Sequence, residues 1–402
     1  MFNDLTTLVL AVVFVAINGL TMLAWAAQMG YKMKPTAFAF FVASIGNALS
    51  GNVVPFSGQS SILTVSNFVK NTNERVAALL IAVVVMVVAG AAGWVSAIAD
   101  WAGPPVILGM MAGVGLMVAQ ISVDMLKQDK RTGIISFTTA LLTWWLTVGN
   151  PNQLVWVIAV SVTAATVDFL LLQKDKDGKR GRRVDILNLA KQNGFTGDMD
   201  EDVQENRPWK KEYWNGFKMS TPKFGLLAVY YSLAFICINI GTNIAFGNIT
   251  AGFAGVPAPI DTLTVINSLA DIPAILFGGM PIEAIISATA QSPWPVLAGV
   301  LMMALLGFLC LFGLINKLVK YVPAQSLAGF LFIIGFFSTF RPNLVNAFNT
   351  ALVSEEVTAT LHASNTSQAV AAVAITAITK NPFLGLAAGV IVRYIGAAIG
   401  IP

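Results

Sequence analysis

Long apolar runs with little or no charge recur along the whole chain, and they constrain its fold more than any other feature. Examples are the stretches 77–93, 155–172 and 295–315, each close to the roughly 20 residues that a helix needs to cross a 30 Å hydrocarbon core. Charged residues make up only 11% of the 402 residues, against about 25% in a soluble domain. This pattern excludes an ordinary soluble globular enzyme and predicts an all-α polytopic membrane protein.

A polar insert, residues 174–223, divides the chain into two halves. It holds 12 of the 24 Lys and Arg residues and 9 of the 20 Asp and Glu residues, so we expect it to be a cytoplasmic loop. About 14 membrane segments are predicted, seven in the half 1–173 and seven in the half 224–402. They are 5–28, 35–50, 54–69, 76–99, 104–126, 132–149, 153–173, 224–247, 260–274, 280–291, 293–316, 322–340, 364–379 and 382–400.

The basic residues are distributed unevenly between the predicted loops. Of the 24 Lys and Arg residues, 22 lie in loops that follow odd-numbered segments, with the insert counted among those loops. Cytoplasmic loops are the ones enriched in Lys and Arg. We therefore expect a multi-pass protein of the cell membrane (plasma or inner), with these loops in the cytoplasm and both termini outside.

The two halves repeat each other's motifs at a nearly constant distance. Ile17-Asn-Gly-Leu-Thr corresponds to Ile238-Asn-Ile-Gly-Thr, and Pro55-Phe-Ser corresponds to Pro281-Ile-Glu, 226 positions later. The glycine spacing of 109 and 115 likewise recurs at 329 and 335. Seven segments is an odd number, so the second half must lie upside down relative to the first. Such inverted repeats are typical of secondary transporters.

Segments 3 and 10 are predicted to be half-helices that begin in the middle of the membrane. Their helical parts, 55–69 and 281–291, are too short to span the bilayer, and each follows an extended segment rich in Gly and Pro. A half-helix presents unpaired backbone N–H groups at its positive dipole end. Two half-helices that face each other predict a binding site for a polar or partly anionic ligand.

Glu283 is the strongest candidate residue, because it is the only carboxylate that the sequence places deep in a membrane segment. Such residues usually face a cavity and serve function, and burial favours the protonated form. We expect Glu283 to bind a solute N–H group or to carry a coupling proton. A structural role, capping the chain break at Gly278 and Gly279, is the alternative.

Further candidates are polar or aromatic residues of segments 3, 8 and 10. Ser57, Ser60, Ser61 and Thr64 have the spacing of one helical face, and Ser57 is the repeat counterpart of Glu283.

In segment 8, Asn239 and Thr242 share one helical face. In segment 10, Ser287 extends the Glu283 face by one turn. Phe56 could stack on a planar ligand. Each of these has a structural alternative, which is a tie between helices or packing. Asp271 is predicted to lie near a segment end in contact with water.

Several of these motifs resemble the xanthine/uracil permease type of the nucleobase–cation symporter family. The resemblance is carried by Pro55 through Ser61, by the Trp101-Ala-Gly-Pro-Pro stretch up to Gly115, by 238–242 and by Pro281-Ile-Glu283. It implies a 7+7 inverted repeat with a core domain (segments 1–4 and 8–11) and a gate domain (segments 5–7 and 12–14). It also implies a ligand between segments 3 and 10 that contacts Glu283, and a homodimer formed through the gate domain. The acidic residue usual in the family's eighth helix is missing here.

The sequence therefore predicts a secondary active transporter of a nucleobase or similar planar polar solute. We expect elevator-type alternating access coupled to a cation, H⁺ through Glu283 or else Na⁺. An anion transporter of the sulfate-permease type on the same fold is the first alternative, and a membrane scaffold or sensor acting through the insert is the second. Without a P-loop, a Cys/His metal spacing or a Ser/His/Asp group, neither an enzyme, a cofactor, a bound metal nor a nucleic-acid partner is expected.

Overall fold

The computed structural model describes residues 2–58, 69–172, 217–318, 321–349 and 359–399. The first half contains α1 (Phe2–Gln28), α2 (Met33–Ser50), strand β1 (Phe56–Ser57), α3 (Thr72–Ala91), α4 (Trp94–Ala102), α5 (Pro104–Gln128), α6 (Lys130–Leu146) and α7 (Gln153–Leu172). The second half contains α8 (Leu226–Phe253), α9 (Ile260–Leu276), strand β2 (Glu283–Ala284), a 3-10 helix (Ala288–Gln291), α10 (Pro295–Leu311), a helical turn (Ile315–Leu318), α11 (Ala324–Asn349), α12 (Ala359–Thr379) and α13 (Pro382–Ala398).

By length and composition, six of the described helices can cross a membrane: α1, α3, α5, α7, α8 and α11. Most predicted segments agree with observed helices to within a few residues. The helix α11 is continuous but changes its winding, because Ile333–Phe340 forms a π-helix between two α-helical parts.

Two predicted helices take a different form. Segment 4 is broken at Gly93, whose φ of 72° ends one helix and starts the next. Segment 10, predicted as a half-helix over 280–291, is instead the strand β2 followed by the 3-10 helix of four residues. The backbone N–H of Ile285 is donated to the carbonyl of Pro55, and Ser287 is extended, so a helix cannot propagate through these residues.

The strands β1 and β2 pair antiparallel and bring the two halves together. Phe56 faces Ala284 and Ser57 faces Glu283 in the register. Of predicted segment 3, the structure describes the residues up to 58 and residue 69. Ser60, Ser61 and Thr64 lie outside the described residues.

Helix contacts fall into two groups. In the first group α2 packs on α9 and α10, α3 packs on α8 and α9, and α1 packs on α10. In the second group α12 packs on α5 and α13, α5 packs on α11, and α6 packs on α7. Between the groups, α1 contacts α7 and α8 contacts α13.

Several of the basic loops lie on one face of the molecule. The backbone N–H of Lys32 donates to Gly278, and its ammonium group donates to the carbonyl of Lys218 at 3.4 Å. The Asn73 side chain donates to the Thr221 hydroxyl at 3.0 Å. The loops after segments 1 and 3 therefore meet the end of the insert, as expected for loops that share one side of a membrane.

Candidate functional site

The centre of the site is the strand pair, where repeat-related residues lie side by side. Ser57 and Glu283, which correspond in the two halves of the sequence, are register partners. Both are buried, with exposures of 2% for Ser57 and 0% for Glu283. The carbonyl of Pro55 accepts from the N–H of Ile285 at 3.1 Å, which extends the pairing by one bond. The inverted repeat thus places a hydroxyl and a carboxyl together inside the protein.

Asparagines hold the segment that leads into β1. The Asn47 amide donates to the carbonyl of Val54 at 2.7 Å. Asn52 donates to Asn47 and accepts from the backbone N–H of Val54. These bonds satisfy the backbone of a non-helical chain inside a membrane protein, where unsatisfied polar groups are costly.

Asp271 plays the same part before β2, which corrects the expectation that it contacts water. It is 1% exposed, and its carboxylate accepts from the backbone N–H of Ile282 at 2.8 Å. The N–H of Met280 is bound by the Thr36 hydroxyl at 2.8 Å. Asp271 also interacts electrostatically with Glu283.

The sequence analysis missed the burial of Asp271, because hydropathy placed this residue at a segment end. Its correspondence to Asn47, 224 positions earlier, is the signal that could have identified it.

Ser57 and Phe56 point to opposite sides of β1, because successive side chains of a strand alternate. A Cβ atom built on Gly19 of α1 would lie 2.7 Å from the Ser57 hydroxyl oxygen, so this hydroxyl faces α1. Among the residues that the structure describes, that oxygen has no hydrogen-bond partner. Ser57 therefore shares a face of the strand pair with Glu283, and Phe56 shares the other with Ala284.

Asn239 and Thr242 are buried in α8 and already have hydrogen bonds. The Asn239 side-chain oxygen accepts from the Asn267 amide at 3.4 Å, which links α8 to α9. The Thr242 hydroxyl donates to the carbonyl of Ile238 at 3.0 Å within its own helix. Asn239 thus ties two helices together, as one of its two sequence interpretations expected.

Ser287 is not one helical turn from Glu283, because the segment between them is not a helix. Its hydroxyl accepts from the N–H of Thr289 at 3.1 Å and shares a 2.7 Å bond with the Thr289 hydroxyl. The 3-10 helix ends at Gln291, whose side-chain oxygen accepts from the N–H of Leu154 in α7 at 2.9 Å. Ser287 therefore caps a short turn that contacts the second helix group.

Comparisons with known proteins support the fold. No protein-family model matches the chain, and no curated protein matches it. The structure is similar to the transmembrane domain of a cyanobacterium bicarbonate transporter, BicA, with a TM-score of 0.53 and 13% identity over 96% of this chain and 98% of that one. The predicted inverted-repeat fold is confirmed, and the chain is a multi-pass membrane protein with the fold of a transporter. At this identity the likeness extends to the fold alone.

Proposed function

We propose that this protein is a secondary active transporter that carries a small polar solute across the cell membrane. The observation that carries the proposal is the pairing of Ser57 with Glu283 at the meeting point of the two halves. Ionisable residues inside a membrane are costly and usually serve function. Transporters built from inverted repeats bind their solute at the repeat interface.

A planar solute with N–H donors, such as a nucleobase, fits this chemistry best. The Glu283 carboxylate can accept hydrogen bonds from such N–H groups, and the Ser57 hydroxyl beside it offers one donor and two acceptor sites. Ser60 and Asn239 are further proposed contacts. Thr242, Ser287 and Phe56 are the remaining candidates. The acidic pair of Asp271 and Glu283 disfavours a ligand that carries a full negative charge.

The proposed coupling ion is H⁺, which Glu283 takes up. The ionised Glu283 carboxylate accepts hydrogen bonds from the N–H groups of the solute, and it takes up its proton once the solute is bound, because a protonated carboxyl costs less inside a membrane than a charged one. The part of the transporter that carries the solute then moves across the membrane with Glu283 uncharged.

We further propose that the two helix groups act as a core and a gate. The core contains α1–α4, α8–α10 and both strands, and it slides past the gate α5–α7 and α11–α13 in an elevator-type motion. The bond between Gln291 and Leu154 joins the two groups and must break when the core moves. Homodimerisation through the gate would hold the gate in place in the bilayer while the core moves.

A thermal-shift screen of the purified protein tests the proposal. Nucleobases should raise the melting temperature of the wild type, because a ligand that binds only the folded state stabilises it. The Glu283→Gln variant should bind about tenfold more weakly or worse, since a hydrogen bond to a charged group contributes about 1.5–3 kcal/mol. Asp124→Asn is the matched control, because Asp124 is exposed and pairs with Lys127.

A small anion is the second candidate solute, and the likeness to a bicarbonate transporter favours it. In this case bicarbonate or sulfate should stabilise the wild type, and Glu283→Gln should leave that stabilisation unchanged or increase it. The reason is that the variant removes an ionisable carboxyl that repels anions. This outcome, without any response to nucleobases, would replace the nucleobase proposal.

A further inference from the structure

The turn between α12 and α13 lies at an unusual depth. At the far end of α13, Arg393 donates to the carbonyl of Trp101, just before α5 begins. Asn381, at the turn, lies 12 positions before Arg393, or about 18 Å away along α13. The neighbouring α5 can cross a membrane and has 25 residues, so it is about 37 Å long. The turn is therefore level with the middle of α5 and far from either membrane surface.

The contact of α13 with α8 places the turn at the same depth. A Cβ atom built on Gly241 would meet the backbone nitrogen of Phe383, the second residue of α13. Gly241 is the sixteenth of the 28 residues of α8, so α13 begins against the middle of α8. The same helix α8 also contacts β2. One helix thus connects this turn with the proposed solute site.

The turn is polar and exposed, although it lies inside the membrane. Thr379 and Lys380 are both exposed. Irregular backbone at this depth occurs only where it is buried in protein or borders a water-filled cavity. The lysine side chain cannot extend to the surface, because roughly 19 Å of α5 remain below the turn. Since the turn is not buried, it borders water.

The part of α5 that α12 leaves uncovered is consistent with this water-filled space. A Cβ atom on Gly109 of α5 would lie 2.5 Å from the carbonyl oxygen of Ala369 in α12. One on Gly113 would lie 2.5 Å from the Cβ atom of Thr376. Gln120 lies on the face of these two glycines, with spacing i, i+4 and i+11, and is exposed. A polar side chain therefore lies on this face just beyond the turn.

The backbone of Lys380 adopts a conformation that favours glycine. Its φ is 55°, and among the residues that the structure describes it is the only one other than glycine with a positive φ. Glycine is the usual residue directly after a helix in this conformation, which costs other residues free energy. A lysine held there at such a cost indicates that its side chain serves function.

The position of the insert shows which side the space opens to. The Asn73 side chain, at the start of α3, binds Thr221 at the end of the insert. Because α3 can cross the membrane and α4 and α5 follow it, α5 begins on the face opposite the insert. The half of α5 below the turn therefore leads to the side of the insert.

We propose that Lys380 lines a water-filled vestibule, which opens on the side of the insert, and that its positive charge selects the solutes that enter. A fixed charge in a cleft with low-dielectric walls attracts ions of the opposite sign and repels those of its own. The vestibule therefore admits neutral and anionic solutes and disfavours cationic ones. Selection of the transported solute by this charge rests on the proposed function, whereas the vestibule and its field do not.

Cysteine accessibility tests the vestibule in the full-length protein without its two native cysteines. The probes are an anionic and a cationic methanethiosulfonate, which react with thiolates and so need water. Thr379→Cys and Gln120→Cys should react from the side on which Gly178→Cys reacts. Val84→Cys is the matched control, because Val84 is 55% exposed near the middle of α3, among apolar residues; it should react from neither side.

The ratio of the two reaction rates tests the charge. At Thr379→Cys the anionic probe should be favoured, and adding Lys380→Gln should lower the ratio of the anionic to the cationic rate by about tenfold. Lys127→Gln is the matched control, because Lys127 is exposed at the end of α5 and pairs with Asp124. It should leave the ratio unchanged, since charges beyond about 10 Å are screened.

Two results would overturn the proposal. If Thr379→Cys and Gln120→Cys react as slowly as Val84→Cys, there is no vestibule. If Lys380→Gln leaves the ratio of rates unchanged, Lys380 does not select by charge. The Thr379 hydroxyl bonds only within its own helix, to the carbonyl of Ile375, so its replacement should preserve the fold. Both measurements are made without solute, so a missing response to nucleobases would count against the proposed solute and not against the vestibule.

Discussion

Asp271 illustrates how single side chains hold the unusual backbone at the centre of this protein. It binds the N–H of Ile282 in front of β2, as Asn47 binds the carbonyl of Val54 in front of β1. The two residues occupy corresponding positions on α9 and α2. One accepts from a backbone N–H and the other donates to a backbone carbonyl, so each half uses a polar side chain from the preceding helix to stabilise its strand.

Replacing Asp271 separates this structural role from its charge. Asp271→Leu leaves the buried N–H of Ile282 without an acceptor and should lower the free energy of unfolding by about 1–3 kcal/mol. Asp271→Asn keeps a side-chain oxygen for that bond and should retain most of the stability. Thermal unfolding of both purified variants in detergent measures the difference. Equal loss of stability in the two would contradict the role of this hydrogen bond.

Some of the site could be predicted from single residues and some could not. The sequence identified Ser57 and Glu283 as counterparts in the two halves, but their pairing on two strands was not predicted. The burial of Asp271 was missed because hydropathy marks the end of an apolar run, not the end of the membrane. The roles proposed for Glu283, Asn239 and the other candidate residues stay predictions.

At the scale of elements, glycines let α5 and α11 approach closely. A Cβ atom on Gly115 would lie 2.6 Å from the carbonyl oxygen of Gly335, and one on Gly335 would lie 2.7 Å from that of Gly115. The two glycines occupy corresponding positions of the repeat, so the repeated spacing in the sequence marks a crossing of two backbones. Small residues at such crossings are typical of membrane helices.

Gly115→Ala should therefore destabilise the protein. The added methyl group meets backbone atoms that cannot move aside, and overpacking of this kind costs about 1–3 kcal/mol. Gly252→Ala, in α8, is the control, because in the described structure a Cβ there would meet no atom within 4 Å apart from the backbone of its own helix; it should be neutral or slightly stabilising. The melting temperatures of the two variants give the comparison, and an unchanged value for Gly115→Ala would refute the close crossing.

Segment 10 shows where pattern-based prediction fails for an element. Its composition resembled a short helix, yet hydrogen bonds from other parts of the chain decide its form. The carbonyl of Pro55 accepts a hydrogen bond from the N–H of Ile285, and the Thr250 hydroxyl donates to the carbonyl of Ile285 at 2.7 Å. Both partners are distant in sequence, so a local pattern does not contain them. Most of the long apolar helices, in contrast, were predicted within a few residues, although α8 and α11 run on past their predicted ends at 247 and 340 to Phe253 and Asn349.

At the scale of the whole molecule, two of the basic loops share one face with the end of the insert, and the side of the membrane that this face takes stays a prediction. The bonds from Lys32 to Lys218 and from Asn73 to Thr221 hold the end of the insert against the loops after segments 1 and 3. If positive loops face the cytoplasm, this face is predicted to be the cytoplasmic one and both termini are predicted to lie outside.

Cysteine labelling in intact cells measures this orientation. In a background with Cys237 and Cys310 replaced by Ala, a Phe2→Cys variant should react with a membrane-impermeant maleimide from outside. A Gly178→Cys variant in the insert should react only after the cells are opened. The opposite pattern would invert the topology.

The central claim is that Glu283, paired with Ser57 across the two halves, binds the transported solute together with a proton. The most direct measurement is uptake of a radiolabelled nucleobase into proteoliposomes under an inward proton gradient. The account predicts uptake by the wild type and by Asp124→Asn, its collapse when the gradient is dissipated, and a loss of about tenfold or more in Glu283→Gln. Uptake by Glu283→Gln at the rate of the wild type would contradict it.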